Sequence, residues 1–156
     1  MKSYQFREYG KRLEAIEHPK PSPEGTEVLV RVLACGACHS DVHLWEGEYD
    51  LGNERKLDAR SGRDLPFTLG HEISAEVVRV GPDAQDTLIG KRFVVFPWIG
   101  CGACNICDHE AEHLCLRPRA LGTFVDGGYS DHVLVPHPRY LFDFGNLKPE
   151  LACTYA

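Results

Sequence analysis

Short runs of alternating apolar and polar residues dominate this chain and predict a protein built mainly of β-strands. The first two runs, residues 4–6 and 13–15, flank Gly10 and predict a pair of short strands. Residues 27–33 form a longer run that is rich in β-branched side chains. This run predicts a strand that leads directly into Cys35.

Further runs of the same kind follow along the chain. Residues 73–80 predict a strand headed by His71, and residues 89–96 and 128–135 predict two more strands. Strands therefore outnumber long helical patterns. Many short strands at close intervals favour a β-barrel or a β-sandwich.

Two segments depart from this strand pattern. Residues 39–45 predict a short helix, which would place His39 and His43 on one face at positions i and i+4. Residues 47–65 are charged, contain glycine and show no sustained period. They predict an exposed loop.

Length and composition fit one globular domain that spans residues 1–156. Apolar residues make up 43% of the chain and charged residues 26%, which is typical of a folded rather than a disordered protein. The net charge is −6 without a block of like charge, which argues against nucleic acid as a partner. No apolar run approaches the ~18 residues of a membrane span, and no secretory signal opens the sequence. We therefore expect a cytoplasmic protein.

Seven cysteines are present, and in a reducing compartment they indicate metal ligands or reactive thiols before disulfides. The most specific spacing is a C-x₂-C-x₂-C-x₇-C pattern, formed by Cys101, Cys104, Cys107 and Cys115. Four thiolates on one short lobe can close the tetrahedral shell of a structural zinc. Disulfides and another metal are the alternatives, although an odd total of cysteines suits paired disulfides poorly.

A second group of metal-ligating side chains lies in residues 35–43, which combine two thiols, two imidazoles, a hydroxyl and a carboxylate. Thiolate and imidazole are preferred ligands of zinc, and a carboxylate can orient a ligating imidazole. This segment is predicted to be half of an open, catalytic metal site. The candidate ligands are Cys38, His71 and Cys153, although each taken alone is more often a packed structural residue.

Cys35 and four aromatic residues near these motifs each allow two interpretations, one functional and one structural. Cys35 and Cys38 have the spacing of a redox motif, but no βαβ unit surrounds them, so Cys35 is predicted to be a packed thiol at a strand end. Four aromatic residues could line a substrate pocket or belong to the core: Trp45, Tyr49, Phe96 and Trp98.

The order of the motifs resembles that of the zinc-dependent medium-chain alcohol dehydrogenases. It runs from Cys-His-Ser-Asp at 38–41 to Gly-His-Glu at 70–72, then to the four-cysteine lobe and a late cysteine at 153. The resemblance covers nearly all of the chain. It implies a mainly β fold, a GroES-like, partly open β-barrel with a cysteine-rich zinc-binding lobe and short helices. In this family a Rossmann cofactor domain follows the barrel.

Residue roles follow from the same resemblance. The catalytic zinc would be held by Cys38, His71 and Cys153, and the structural zinc by Cys101, Cys104, Cys107 and Cys115. Glu72 matches the acid that follows the ligand histidine, and Asp41 matches a carboxylate that fixes the ring of His71. Ser40 and His43 match the members of a proton relay. His39 matches a position near the cofactor pyrophosphate.

The resemblance implies a zinc- and NAD(P)-dependent alcohol dehydrogenase with two zinc ions per chain. A zinc-bound alcohol would lose its proton and give hydride to nicotinamide, which forms an aldehyde or a ketone. No G-x-G-x-x-G fingerprint joins a strand to a helix here. We therefore expect a domain of a longer, homo-oligomeric parent that binds NAD or NADP elsewhere, and no activity of this domain alone. The competing hypothesis is a GroES-like zinc-binding module with a structural or assembly role.

Overall fold

Antiparallel strand pairing organises the chain, which the computed structural model describes from Met1 to Ala156. Besides four short 3₁₀ turns, the elements in chain order are β1 Lys2–Phe6, β2 Glu14–Glu17, β3 Val28–Gly36, α1 His39–Glu46, β4 Glu48–Asp50, β5 Lys56–Asp58, β6 Phe67–Thr68, β7 Glu72–Val80, β8 Arg92–Val95, α2 Asn105–Asp108, β9 His132–Val135, β10 Leu141–Asp143 and α3 Pro149–Ala152. The mainly β, partly open barrel with short helices is confirmed.

The strands form one main sheet and two smaller ones. The main sheet has five strands in the order β10-β8-β7-β3-β9, so the long strands β3 and β7 lie side by side within it. A three-stranded sheet has the order β2-β1-β6, and β4 pairs with β5 in a separate hairpin. Strands β3 and β7 run antiparallel, and the end of one therefore lies beside the start of the other.

The core lies on the inner face of this sheet. Val28 and Val30 of β3 and Ile73 and Val77 of β7 are buried in one cluster of 11 residues. Burying each of these side chains contributes about 1.5–3 kcal/mol to folding. A second cluster packs Leu44, near the C-terminal end of α1, against Phe6 and Phe67 of the three-stranded sheet and so attaches the helix to that sheet.

Three features differ from the sequence prediction. Residues 47–65 are largely exposed as expected, but they contain the hairpin β4–β5, in which Tyr49 pairs with Leu57. The strand predicted over 128–135 begins only at His132, because the peptide N–H groups of residues 127–129 bond to residues 68–70 instead of to a neighbouring strand of the main sheet. The short strands β6 and β10 were not predicted. None of the helices has the length and apolar character that crossing a bilayer requires.

Candidate functional site

The predicted half-sites meet where β3 ends beside the start of β7. In this register Gly36 pairs with Glu72. The chain leaves β3 through Cys38, which caps the N-terminus of α1, and enters β7 directly after His71. One possible ligand atom from each of Cys38, His71 and Glu72 lies within 4.8 Å of the others. These three residues are called the strand-junction site below.

Asp41 lies behind the imidazole of this site. Its Oδ1 is 3.3 Å from His71 Nδ1, although the ring N–H is not aligned with it well enough to form a hydrogen bond. The nearby carboxylate raises the pKa of His71 to about 9 when no metal is bound. Since Nδ1 faces Asp41, Nε2 is the nitrogen left for a metal, and this arrangement is typical of ligating histidines.

The Glu72 carboxylate lies over the backbone of Gly36. A Cβ atom added at Gly36 would come 2.0 Å from Glu72 Oε2. The glycine therefore leaves the space that the Glu72 carboxylate occupies at the strand-junction site. Nothing in the sequence pointed to Gly36 for this role.

Cys153 lies next to this site but outside the group within 4.8 Å. It is buried, and the turn that begins at Cys153 packs against β3 and β7. Its thiol donates a hydrogen bond to the Glu150 carbonyl at 3.3 Å. Burial and then the charge of Glu72 raise the pKa of the Cys153 thiol. Its role as a ligand stays a prediction.

Helix α1 carries the hydroxyl and the two further imidazoles. Ser40 Oγ lies 3.6 Å from Cys38 Sγ. The rings of His39 and His43 stack with their centroids 4.5 Å apart, so they share one face of the helix as predicted. His43 Nδ1 is buried and has no hydrogen-bond partner, with the Glu46 carboxylate 3.9 Å away. An open ring nitrogen is what a proton relay needs.

The four aromatic candidates fall into two groups. The ring of Tyr49 lies 4.8 Å from that of His43, and the ring of Trp98 lies 6.4 Å from that of His71, between centroids. Trp45 packs against the second core cluster, and Phe96 packs against the main one. Tyr49 and Trp98 are thus the two that flank the candidate site.

The cysteine lobe, residues 101–115, brings all four thiols together. All seven cysteines of the chain are free thiols. Within the lobe, Sγ–Sγ distances are 3.5 Å for Cys104–Cys107, 3.9 Å for Cys104–Cys115 and 4.0 Å for Cys101–Cys107. A tetrahedral zinc with Zn–S bonds of about 2.3 Å requires sulfurs about 3.8 Å apart, so the spacing fits such an ion.

Peptide N–H groups support thiolates in this lobe. The N–H groups of Cys101 and Arg117 donate to Cys115 Sγ at 3.4 and 3.3 Å. These hydrogen bonds lower the pKa of Cys115 to about 7, and the bond from the Cys101 N–H has the largest effect. Hydrogen bonds to a thiolate stabilise the form that binds metal.

Glu112 attaches the lobe to the barrel. Its Oε2 accepts the Gly100 N–H at 3.2 Å and also the Tyr140 hydroxyl, and its Oε1 pairs with Arg139. Because Gly100 directly precedes Cys101, this contact holds the start of the lobe against β10 and its preceding turn. Sequence reasoning missed Glu112, and a single acidic residue inside a cysteine motif gave no signal for it.

Cys35 lies beside the strand-junction site but is not part of its group of ligand atoms. Cys35 packs against the main core, and burial raises the pKa of its thiol far above the usual range, which agrees with a packed, inert cysteine. A cavity of about 560 Å³ lies between β1 and the cysteine lobe; Cys101 is among its lining residues, and Cys38 and His71 are not.

Comparison with known proteins agrees with this geometry. Residues 24–144 match the alcohol dehydrogenase GroES-like domain. The chain is 42% identical over 148 residues to an NAD-dependent alcohol dehydrogenase of Sulfurisphaera tokodaii, which covers 95% of this chain and 42% of that protein. It is 35% identical over 144 residues to an L-threonine 3-dehydrogenase of Thermococcus kodakarensis, covering 92% of this chain and 38% of that protein.

A solved structure shows the same fold. The D-arabinose dehydrogenase of Sulfolobus solfataricus superimposes with a TM-score of 0.77 at 28% identity, over 96% of this chain and 42% of that one. This chain thus spans less than half the length of the relatives it matches. The domain match, the sequence relatives and the fold agree, and the chain belongs to the alcohol dehydrogenase family as its GroES-like domain.

Proposed function

We propose that residues 1–156 form the catalytic domain of a zinc- and NAD(P)-dependent alcohol dehydrogenase, which interconverts an alcohol with an aldehyde or a ketone. The observation that carries this proposal is the strand-junction site, where a thiol, an imidazole and a carboxylate lie within 4.8 Å of one another. A structural or assembly module needs only a closed metal site. The hydroxyl of Ser40 and the open imidazole of His43 have no use in such a module.

Both donor sets consist of the thiol and imidazole ligands that zinc prefers, and we assign one ion to each. Cys38, His71 and Cys153 would hold the catalytic ion and leave one position open. Cys153 would give up its hydrogen bond to the Glu150 carbonyl on doing so. The four lobe cysteines would hold a structural ion in a closed shell, and the fit of their Sγ spacing supports this assignment.

Zinc in the open site supplies a Lewis acid that lowers the pKa of a coordinated alcohol. The side chains of α1 then handle the proton. Ser40, beside Cys38, would accept it from the alcohol while giving its own hydroxyl proton to the cofactor ribose, and His43, whose Nδ1 has no hydrogen-bond partner, would take it from the ribose and release it to solvent. Asp41 holds the His71 ring with Nε2 towards the site. The nicotinamide cofactor supplies the hydride acceptor, and His39 would lie near its pyrophosphate.

The cofactor would be bound mainly by a separate domain of a longer, homo-oligomeric parent. Two observations support this: the relatives named above are more than twice as long as the matched segment, and this chain carries no G-x-G-x-x-G fingerprint. This domain alone would bind zinc but would not turn over alcohol. Seven free thiols suit a reducing compartment such as the cytoplasm.

Elemental analysis of zinc, with thiol titration in native and denaturing buffer, tests the metal assignment. We expect about two zinc ions per chain, because each donor set binds one ion. Cys35 should then be the single free thiol. Absence of zinc with oxidised thiols would contradict it. In the parent, alcohol-dependent reduction of NAD(P) supports the enzyme, whereas zinc binding without reduction favours the assembly module.

A further inference from the structure

We propose that Tyr129 is a positioning residue of the strand-junction site, whose hydroxyl fixes the Asp41 carboxylate and, through it, the imidazole of His71. This inference rests on the proposed function, because it takes His71 as a metal ligand. It concerns a residue that lies far from Asp41 in sequence and outside every predicted site.

Asp41 is held by more contacts than the capping of a short helix requires. It is only 4% exposed. Its Oδ2 accepts the Cys38 N–H at 3.1 Å and the Tyr129 O–H at 3.0 Å. Its Oδ1 accepts the Gly70 N–H at 3.1 Å and lies 3.3 Å from His71 Nδ1. These contacts occupy both carboxylate oxygens.

The two carboxylate oxygens of Asp41 have different partners. Oδ1 faces the ligand histidine, and Oδ2 accepts hydrogen bonds from Cys38 and Tyr129. Because a carboxylate is planar, fixing Oδ2 also fixes the direction in which Oδ1 points. The Cys38 N–H holds one side of Oδ2, and the Tyr129 hydroxyl is the side-chain donor that stops the carboxylate from rotating about its Cβ–Cγ bond. Hydrogen bonds to a charged acceptor are the strong ones.

Tyr129 is brought to this place by the residues around it. Its N–H donates to the Leu69 carbonyl at 2.9 Å, and the Gly128 N–H donates to the Gly70 carbonyl at 2.7 Å. A Cβ atom added at Gly70 would come 2.6 Å from Tyr129 Cδ1. The tyrosine therefore lies against the segment that leads into His71, and the absence of a side chain at Gly70 makes room for its ring.

The ring and the hydroxyl of Tyr129 have separate roles. The ring packs against the second core cluster and needs no hydroxyl to stay there. Burial, together with the charge of Asp41, raises the pKa of Tyr129, so the hydroxyl remains a protonated donor at working pH. Replacing Tyr129 by Phe removes the donor and leaves the packing.

Metal affinity of the whole chain tests the proposal. Zn²⁺ and Co²⁺ are titrated against a competing chelator into wild type and Tyr129→Phe. We expect the affinity of the strand-junction site to fall about 10–100-fold, as for other groups that orient ligands, with a changed visible Co²⁺ spectrum. The cysteine lobe should keep its affinity, and near-UV circular dichroism like that of wild type shows that the barrel is folded. Tyr9→Phe is the matched control, because its hydroxyl donates to the Arg60 carbonyl instead.

A double-mutant cycle separates positioning from a general structural effect. If Tyr129 acts through Asp41, Tyr129→Phe should cause no further loss of affinity in an Asp41→Asn background. Full affinity and an unchanged spectrum in Tyr129→Phe, or an equal loss in both backgrounds, would overturn the proposal and leave the proposed function intact. A wild-type chain that binds metal only at the cysteine lobe would overturn both.

Discussion

The indole of Trp98 lies beside the imidazole of His71, with ring centroids 6.4 Å apart and an interplanar angle of 47°. Trp98 also stands just ahead of Cys101, where the cysteine lobe begins. Residues 98–100 therefore join the two candidate metal sites. A change in the conformation of the lobe should therefore move Trp98 beside the strand-junction site.

Cys104→Ser should lower the zinc content by about one equivalent and loosen the lobe, because a closed tetrahedral site needs all four thiolates. The emission of Trp98 should change as its segment becomes mobile. Elemental analysis, hydrogen exchange over residues 98–117 and tryptophan fluorescence measure these effects. Cys35→Ser is the control, since Cys35 lies outside both sites, and it should keep both ions. Wild-type zinc content in Cys104→Ser would refute the structural site.

Gly36→Ala should weaken metal binding at the strand-junction site. Its new Cβ would lie 2.0 Å from Glu72 Oε2 and would push that carboxylate away. Such overpacking costs about 1–3 kcal/mol of stability. Gly81→Ala is the control, because its Cβ would lie 2.4 Å from the Gly25 carbonyl oxygen, among residues that are not part of either metal site. Urea unfolding should show the larger destabilisation in Gly81→Ala, whose Cβ meets backbone atoms, whereas chelator competition should show a loss of metal affinity only in Gly36→Ala.

His43→Gln in the parent enzyme should slow alcohol oxidation, chiefly below neutral pH, where solvent is the poorer proton acceptor. General acid–base groups contribute about 10²–10⁴-fold, and for one member of a relay we expect a loss near the lower end. The pH dependence of kcat/KM is the measurement, with zinc content as the check that the site is intact. An unchanged pH profile would remove His43 from the relay.

Cys35 should react slowly with alkylating reagents in the native, zinc-loaded protein. Burial raises its pKa far above the usual range, so at pH 7 the group is a thiol, and the thiolate is the nucleophile. Its alkylation rate should keep rising as the pH increases, without a plateau below about pH 10, because the thiolate fraction is still growing. Peptide mapping after timed iodoacetamide treatment measures this rate. Rapid labelling of Cys35 at pH 7 in the zinc-loaded protein would contradict the prediction.

Local features of the sequence predicted local structure well. The four lobe cysteines lie within 15 residues, so their spacing alone indicated that the thiols converge. The apolar runs over residues 27–33 and 73–80 coincide with β3 and β7, although burial in these strands does not alternate, because three consecutive residues of each are buried. The i, i+4 spacing of His39 and His43 likewise predicted that their rings share one face of α1.

Long-range contacts could not be predicted in the same way. The fit of Gly36 under Glu72 depends on the register of β3 and β7, which periodicity does not specify to the residue. The bond from Tyr129 to Asp41 joins residues that only the closed barrel brings together. Residues 47–65 lacked a period because their strands are three residues long and contain no fully buried residue, which leaves no apolar alternation to detect.

The two donor sets also differ in how much of the chain must be ordered before they can bind. The cysteine lobe is contiguous, and it can capture zinc while the barrel is still unfolded, as small zinc fingers do. The strand-junction site needs β3 and β7 to pair across a long intervening segment, and contacts of this range form late. We expect zinc uptake during refolding in two phases, the slower one coinciding with the formation of the barrel, as followed by stopped flow with a zinc indicator.

A core substitution separates these two phases. Ile73→Ala removes a fully buried side chain and should cost about 2–5 kcal/mol, which delays or prevents the second uptake while the first remains. Simultaneous loss of both phases would contradict the order. A chain that binds one zinc ion can therefore still have an unfolded barrel. Only a zinc ion bound at the strand-junction site indicates that the barrel has reached its native state.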